Sequence, residues 1–302
     1  TYRTIAAQRV LELGSRPWLM GVVNASPDSF SDGGRYRTLQ QRVQLAAELL
    51  GAGADILDIG GESAATNRPQ VEEELELERV VPLIERVVDE LDAIVSVDTY
   101  KPAVARAAIA AGASIVNDVS GLRNLELADV CARSGAALVV MHTRAAPKQR
   151  MQDPNLYTNI VDEVLELLEQ RIALALRAGV ASEQLIVDPG PDFAKTPAQT
   201  VALLANVSRL HTLGHPLLMA ISRKDFIGAL TGRAPRERLA GTLAALAHGV
   251  EAGGHIFRVH DVAAAADYLK VRAALAGELT PSEGLALAEE LRHDVGAAGS
   301  AP

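Results

Sequence analysis

Carboxylates, amides and cations recur in this chain at one kind of place, directly after a short apolar run. LMGVV (19–23) runs into Asn24, IVSV (94–97) into Asp98, and SIV (114–116) into Asn117 and Asp118. ALVVM (137–141) is followed by His142, LIV (185–187) by Asp188, and LLMAI (217–221) by Ser222, Arg223 and Lys224. HIFRV (255–259) carries Arg258 and leads to His260. Any one of these residues has a plainer use as a helix N-cap or a turn residue. Their recurrence at the same end of successive runs points instead to one shared site. Carboxylates beside a carboxamide suit a planar heterocycle with an amidine-like edge, two N–H groups meeting one carboxylate. Lys224, Arg258 and His260 suit a phosphate or another oxyanion. Together they describe a heterocycle that carries a phosphate.

The elements that hold these residues follow from periodicity. With DILDI (55–59) there are eight Val- and Ile-rich runs. Stretches of helical spacing lie between them: 39–50, 75–91, 102–111, 161–178 and 237–250. Several end in a small-residue turn just before the next run: GAGAD (51–55), AAGAS (110–114), RSGAA (133–137) and EAGGH (251–255). Glycine there can take the left-handed conformation that ends a helix and returns the chain to a parallel strand. Repeated βα units without a long linker favour an α/β fold, a single closed (β/α)8 TIM barrel, over an open sheet. Barrels of this kind fill about 250 residues as one domain and collect chemistry where their strands end. The expected organisation is an N-terminal cap over 1–17, a barrel over 18–276, and a C-terminal helix (281–293) with a flexible tail over 277–302.

Composition bounds the partners. The 302 residues are 48% hydrophobic, 22% charged and only 3% aromatic, so a soluble protein with an aliphatic core is expected. No apolar run approaches the roughly 18 residues of a membrane span, and no secretory signal opens the chain, which predicts a cytoplasmic setting. The net charge of −9 argues against nucleic-acid binding. Cys131 is the only cysteine, which leaves no intrachain disulfide or cysteine metal site. His211 and His215 are four apart, but no Glu follows the first and Pro216 follows the second, so a metal-hydrolase helix is not supported. The polar stretch PDSFSDGG (27–34) reads as a loop over the barrel mouth that closes on substrate.

These motifs carry a resemblance. MGVVNASPDSFSDGG (20–34), GGES (60–63), SVDTYK (96–101), IVNDVSG (115–121), MH (141–142), VDPG (187–190), SRKDFIG (222–228) and FRVHDV (257–262) occur in the order seen in the dihydropteroate synthases. The chain resembles that family from Leu19 to about Leu275. The resemblance implies that Asp98, Asn117 and Asp188 hold a pterin ring, with Lys224 at its carbonyl side and Met141 and Phe193 against its faces. It implies that Asn24 binds Mg2+ with the pyrophosphate, and that Arg258 and His260 complete the anion pocket. Phe30 and Asp32 would lie on a first loop that closes over p-aminobenzoate. The implied reaction joins dihydropterin pyrophosphate to p-aminobenzoate, through charge stabilisation and without a covalent enzyme nucleophile. The family implies a homodimer and inhibition by sulfonamides, which mimic p-aminobenzoate.

Three departures surround the acceptor. After GGES this chain reads Ala64, Ala65, Thr66, Asn67, Arg68, Pro69, which displaces the family's Thr-Arg-Pro. PDFAKT replaces a glycine-rich stretch after VDPG, and Asp225 stands where a serine is common. A carboxylate near the acceptor's carboxylate would repel it, so Asp225 is expected to turn away as a helix cap. The changes predict altered sulfonamide sensitivity. Two other readings compete: a non-catalytic pterin-binding paralogue, motivated by the altered loop, and a pterin methyltransferase, which has no pyrophosphate to bind.

Overall fold

The computed structural model describes residues 1–26, 38–63, 66 and 68–292. β1 (Tyr2–Ala6) and β2 (Arg9–Leu13) form an antiparallel hairpin. Eight strands follow: β3 (Trp18–Asn24), β4 (Ile56–Gly60), β5 (Val95–Asp98), β6 (Ile115–Asp118), β7 (Ala137–Met141), β8 (Leu185–Asp188), β9 (Leu218–Met219) and β10 (Ile256–Val259). All are parallel, in the order β8-β7-β6-β5-β4-β3-β10-β9. The ring closes where Val187 bridges Leu217 and donates its N–H to the Pro216 carbonyl at 2.9 Å. Each apolar run of the sequence overlaps one of these strands.

Helices cover the outside: α1 (Leu39–Gly51), α2 (Glu73–Leu91), α3 (Pro102–Ala110), α4 (Glu126–Ser134), α5 (Ile160–Arg177), α6 (Pro197–Ala205), α7 (Asp225–Thr231), α8 (Leu239–Glu251) and α9 (Val262–Leu275). Their starts are legible in chemistry. Thr38 and Thr196 close capping boxes with Gln41 and Gln199, and Asn159 accepts from the Asp162 N–H. Gly112 shows why a small residue follows a helix: it sits at φ +109, with Val88 close by. None of the helices described is long and apolar enough to cross a membrane.

Strands buried on both faces need apolar side chains throughout, and all five residues of β7 are buried. The first residues of the strands meet the hairpin. Ala6, Leu11 and Leu13 pack with Met20, Ile56, Ile115, Ala137, Ile186, Leu218 and Ile256 and stop that end of the barrel. Burying each such leucine contributes about 2 kcal/mol.

Contacts between Cα atoms divide the chain into Thr1–Ala266 and Asp267–Pro302. The second unit holds the end of α9, an Arg272–Glu278 ion pair and a 3-10 turn at Glu289–Leu291. The helix expected over 281–293 is not formed among its described residues. Gly284 interrupts it, and Leu285, Leu287 and Leu291 stay exposed, so a short segment gains no packing to offset helix nucleation.

Candidate functional site

Strand register places the polar residues. Asn24 pairs with Gly60, Gly60 with Asp98, and Asp98 with Asn117, so one row crosses four strands at their C-terminal ends. Met141 pairs with Asp188 on the next two strands. Asp98, Asn117 and Asp188 thus meet at one rim, with Lys224 arriving after β9 and Arg258 on β10.

Beneath the row lies a residue absent from the sequence-based candidates. Asp58, inside the apolar run DILDI, is fully buried and accepts from Arg258 Nε at 2.6 Å and Asn117 Nδ2 at 3.2 Å. The available signal was a lone carboxylate within an otherwise apolar strand. Arg258 also donates to Asp98 at 3.1 Å. Burial and the facing Asp58 push the Asp98 carboxyl up to about 7, against the pull of Arg258. Burial also works against the Arg258 charge, but Asp58 and Asp98 outweigh it and raise its pKa. Asn117 Oδ1 is buried and unpaired among the described residues, an acceptor available to a ligand N–H.

Asp188 is buried, and this pushes its carboxyl up to about 6, although it accepts the Gly190 N–H at 2.7 Å and faces Lys224. The turn after it needs Gly190. Its φ is +64, and a Cβ there would collide with the His142 carbonyl oxygen. Lys195 then ties the turn down, fully buried, donating to the carbonyls of Gly190 at 2.9 Å and Phe193 at 3.0 Å and to His142 Nδ1 at 2.8 Å. Burial lowers its amine to about 7. Nothing in the sequence marks it, because a lysine in a polar loop reads as solvated. The tether sets Phe193 beside Lys224, whose Nζ lies 4.6 Å from the ring centroid. Burial lowers the Lys224 amine as well, opposed by Asp192 and Asp188.

Other strand-end groups have local duties. Asp118 accepts the N–H groups of Ser120 and Leu122 at 2.7 Å each and anchors its own turn. His142 is buried against Lys195, and burial depresses its pKa well below the ordinary value. Burial and Arg258 push His260 down to about 3, so in this state its imidazole is neutral. Its Nδ1 lies 3.0 Å from Ser222 Oγ. Met141 is buried at the end of β7. Asn24 ends β3, half-buried.

Phe30 and Asp32 lie outside the described residues, as do Ala64, Ala65 and Asn67. The start of the second loop is nonetheless firmly held. Glu62 accepts from the Val71 N–H, Tyr100 OH and Lys101 Nζ, each at 3.0 Å, and Lys148 lies 3.3 Å away. A cleft of about 560 Å3 opens beside Lys224, lined by Thr66, Arg150, Asp192, Phe193, Arg223 and Asp225 among others. Asp225 does not cap α7. It is the helix's first residue, and its carboxylate instead pairs with Arg238 at 3.1 Å. The backbone N–H of Asp225 itself is taken by Asp192.

A family model described as pterin binding enzyme matches residues 20–260. The chain is 41% identical over 270 residues to the dihydropteroate synthase of Synechocystis, covering 89% of this chain and 93% of that one. It superposes on the Xanthomonas albilineans dihydropteroate synthase with 4-aminobenzoic acid at a TM-score of 0.84 and 44% identity, over 91% and 99% of the two chains. For the Yersinia pestis enzyme in a sulfonamide drug complex the TM-score is 0.85 at 35% identity, over 92% and 100%. With its acceptors and cations gathered at the mouth of the same barrel, the chain belongs to the pterin-binding enzymes and, within them, to the dihydropteroate synthases.

Proposed function

We propose that the rim of Asp98, Asn117, Asp188, Lys224 and Arg258 is where this synthase joins dihydropterin pyrophosphate to p-aminobenzoate. The observation that carries the assignment is the set of acceptors at one rim, Asn117 and Asp188 buried and Asp98 half-buried, one of them unpaired among the described residues, facing two half-buried cations. A pterin offers N–H donors and a carbonyl to such a set. Asp98, Asn117 and Asp188 take the N–H groups, and Lys224 donates to the carbonyl. Phe193 and Met141 bound the ring. Arg258 and His260 hold the pyrophosphate, the first by charge and the second by an N–H.

The bond between the pterin methylene carbon and the pyrophosphate oxygen breaks, and its electron pair leaves with pyrophosphate. The amine of p-aminobenzoate supplies the pair for the new carbon–nitrogen bond and gives up one proton. The positive charge that develops on the pterin is stabilised by Asp98 and Asp188, which act as anions for this purpose. Phe30 and Asp32 belong to the loop we assign to closing over the acceptor. Asn24 offers a hard carboxamide oxygen at the same rim, which fits Mg2+, an ion that keeps most of its shell as water and substrate phosphate oxygens. When bound, Mg2+ neutralises charge on the departing pyrophosphate.

The enzyme also acts as a homodimer in this proposal. What supports it is an apolar groove of about 400 Å3 between α6, α7 and α8, lined by Val201, Leu204, Phe226, Ile227 and Leu230 among others.

The test mixes protein, Mg2+ and both substrates and follows dihydropteroate and pyrophosphate together, with Asp98→Asn as the control. Equal amounts of the two products, lost in the variant by about 100-fold or more, are expected. Pterin retention with no product would overturn the assignment in favour of a binding paralogue.

A further inference from the structure

Asp58 lies among Ile56, Leu57 and Ile59 in β4, with its side chain fully buried. A carboxylate in such surroundings is costly unless donors reach it. Both donors that do, Asn117 Nδ2 and Arg258 Nε, belong to residues assigned above to the substrate, and both bind the same oxygen, Oδ2.

We propose that Asp58 is a positioning residue for the synthase reaction, one that fixes the Asn117 amide and the Arg258 guanidinium in the orientation that reads the pterin substrate. The inference rests on the synthase reading above. A carboxylate offers only acceptors, so Asn117 must turn its NH2 towards Asp58 and its Oδ1 away from it. That is the oxygen left buried and unpaired among the described residues. The choice between the two amide orientations is therefore made by Asp58 and not by the ligand. Arg258 is fixed at two points, Nε on Asp58 and one terminal nitrogen on Asp98 at 3.1 Å. Two anchors define the guanidinium plane and leave Nη1 as the remaining nitrogen for an anion.

Charge gives this role a signature that loosened packing lacks. Asp98 is faced by Asp58 from β4, Arg258 from β10, Glu76 from α2 and Asp118 from β6. Loss of the Asp58 charge removes a repulsion and leaves Arg258 more fully to Asp98. Both changes favour the Asp98 anion.

The experiment is steady-state kinetics of Asp58→Asn against the unchanged protein, with Mg2+ and both substrates. The KM for dihydropterin pyrophosphate rises about tenfold or more, as expected when binding groups are misplaced, while the KM for p-aminobenzoate is unchanged. The acid limb of kcat/KM for the pterin substrate moves to lower pH. An unchanged pterin KM, an equal rise for both substrates, or a limb that stays in place overturns the proposal. If far-UV circular dichroism shows that Asp58→Asn does not fold, Asp58→Glu is read instead. It keeps the charge and shifts the carboxylate, so a raised pterin KM with an unmoved limb is the supporting result, and an unchanged KM the opposing one. An inactive unchanged protein would remove the synthase reading itself. An active one with an indifferent Asp58→Asn removes only this inference.

Discussion

The backbone N–H of Asp225, the first residue of α7, donates to Oδ2 of Asp192, 33 residues earlier in the chain. Asp192 Oδ1 is held in turn by Thr200 at 3.1 Å, and Arg238 pairs with the Asp225 carboxylate. Two carboxylates therefore line the cleft beside Lys224, one occupying a backbone donor and the other occupying a guanidinium.

An acceptor with a carboxylate of its own meets that arrangement unfavourably. Asp225→Ser should lower the KM for p-aminobenzoate and the inhibition constant of sulfonamides together. The effect should be about threefold, because the side chain is 67% exposed and solvent screens it. The effect should shrink with added salt. Inhibition titrations at two ionic strengths check this, and a salt-independent change would argue for packing instead of charge.

Asp98 ties function to stability with opposite signs. Its carboxyl titrates near 7 in the fold, above its ordinary value of 3.8. Being protonated stabilises the fold, and that contribution is complete below about pH 4 and lost as pH rises through about 7. The Asp98 anion that serves the pterin is thus held against the fold's preference. Asp98→Asn should raise the melting temperature of the ligand-free protein at pH 8 and leave it unchanged at pH 4. Catalysis in the unchanged protein should fall as pH drops through about 7, and further through about 6 as Asp188 takes up its proton. Thermal melts of both proteins across this range supply the comparison.

Lys195 should be a structural liability when removed. Lys195→Met leaves the Gly190 and Phe193 carbonyls without their buried donor and frees the turn that carries Phe193. The expected cost is about 3 kcal/mol by urea denaturation. The cost should be larger at pH 9 than at pH 6. The amine titrates near 7 in the fold against 10.5 ordinarily, so the stability of the unchanged protein is itself lost as pH falls towards 7.

Leu230 is 71% exposed on the groove between α6, α7 and α8. Leu230→Glu should convert a dimer to a monomer of intact fold, measured by light scattering on a sizing column. A monomeric unchanged protein at micromolar concentration would end the dimer proposal.

Much of this was legible in the sequence, and the exceptions have physical causes. Parallel strands covered on both faces must be apolar along their length, so runs such as ALVVM announced themselves. The polar residue after each run was visible for the same reason. The hairpin of β1 and β2 was not, because its turn uses Ala7 at φ 55 where glycine or asparagine would have signalled it. Ala7 is held there by donating its N–H to the Gly135 carbonyl at 2.7 Å, a contact no local pattern reveals. Asp58 and Lys195 escaped notice because their importance lies in partners 200 and 53 residues away. Asp225 was read as a cap because the partner that draws its carboxylate away, Arg238, lies 13 residues further along the chain.

The hairpin stopper lies at the far end of the barrel from Asp98, Asn117, Asp188 and Arg258. Cohesion and selectivity are thus allotted to opposite ends of the same strands. Loops at the mouth can change, as the stretch after Gly60 and the residue at 225 have done relative to the family, while the packing of Leu11 and Leu13 against Met20, Ile56 and Ile256 is left alone. Such a molecule tolerates experiment at its mouth. Under pressure from a drug that imitates its acceptor, its first adaptations should therefore fall in loops and not in the ring.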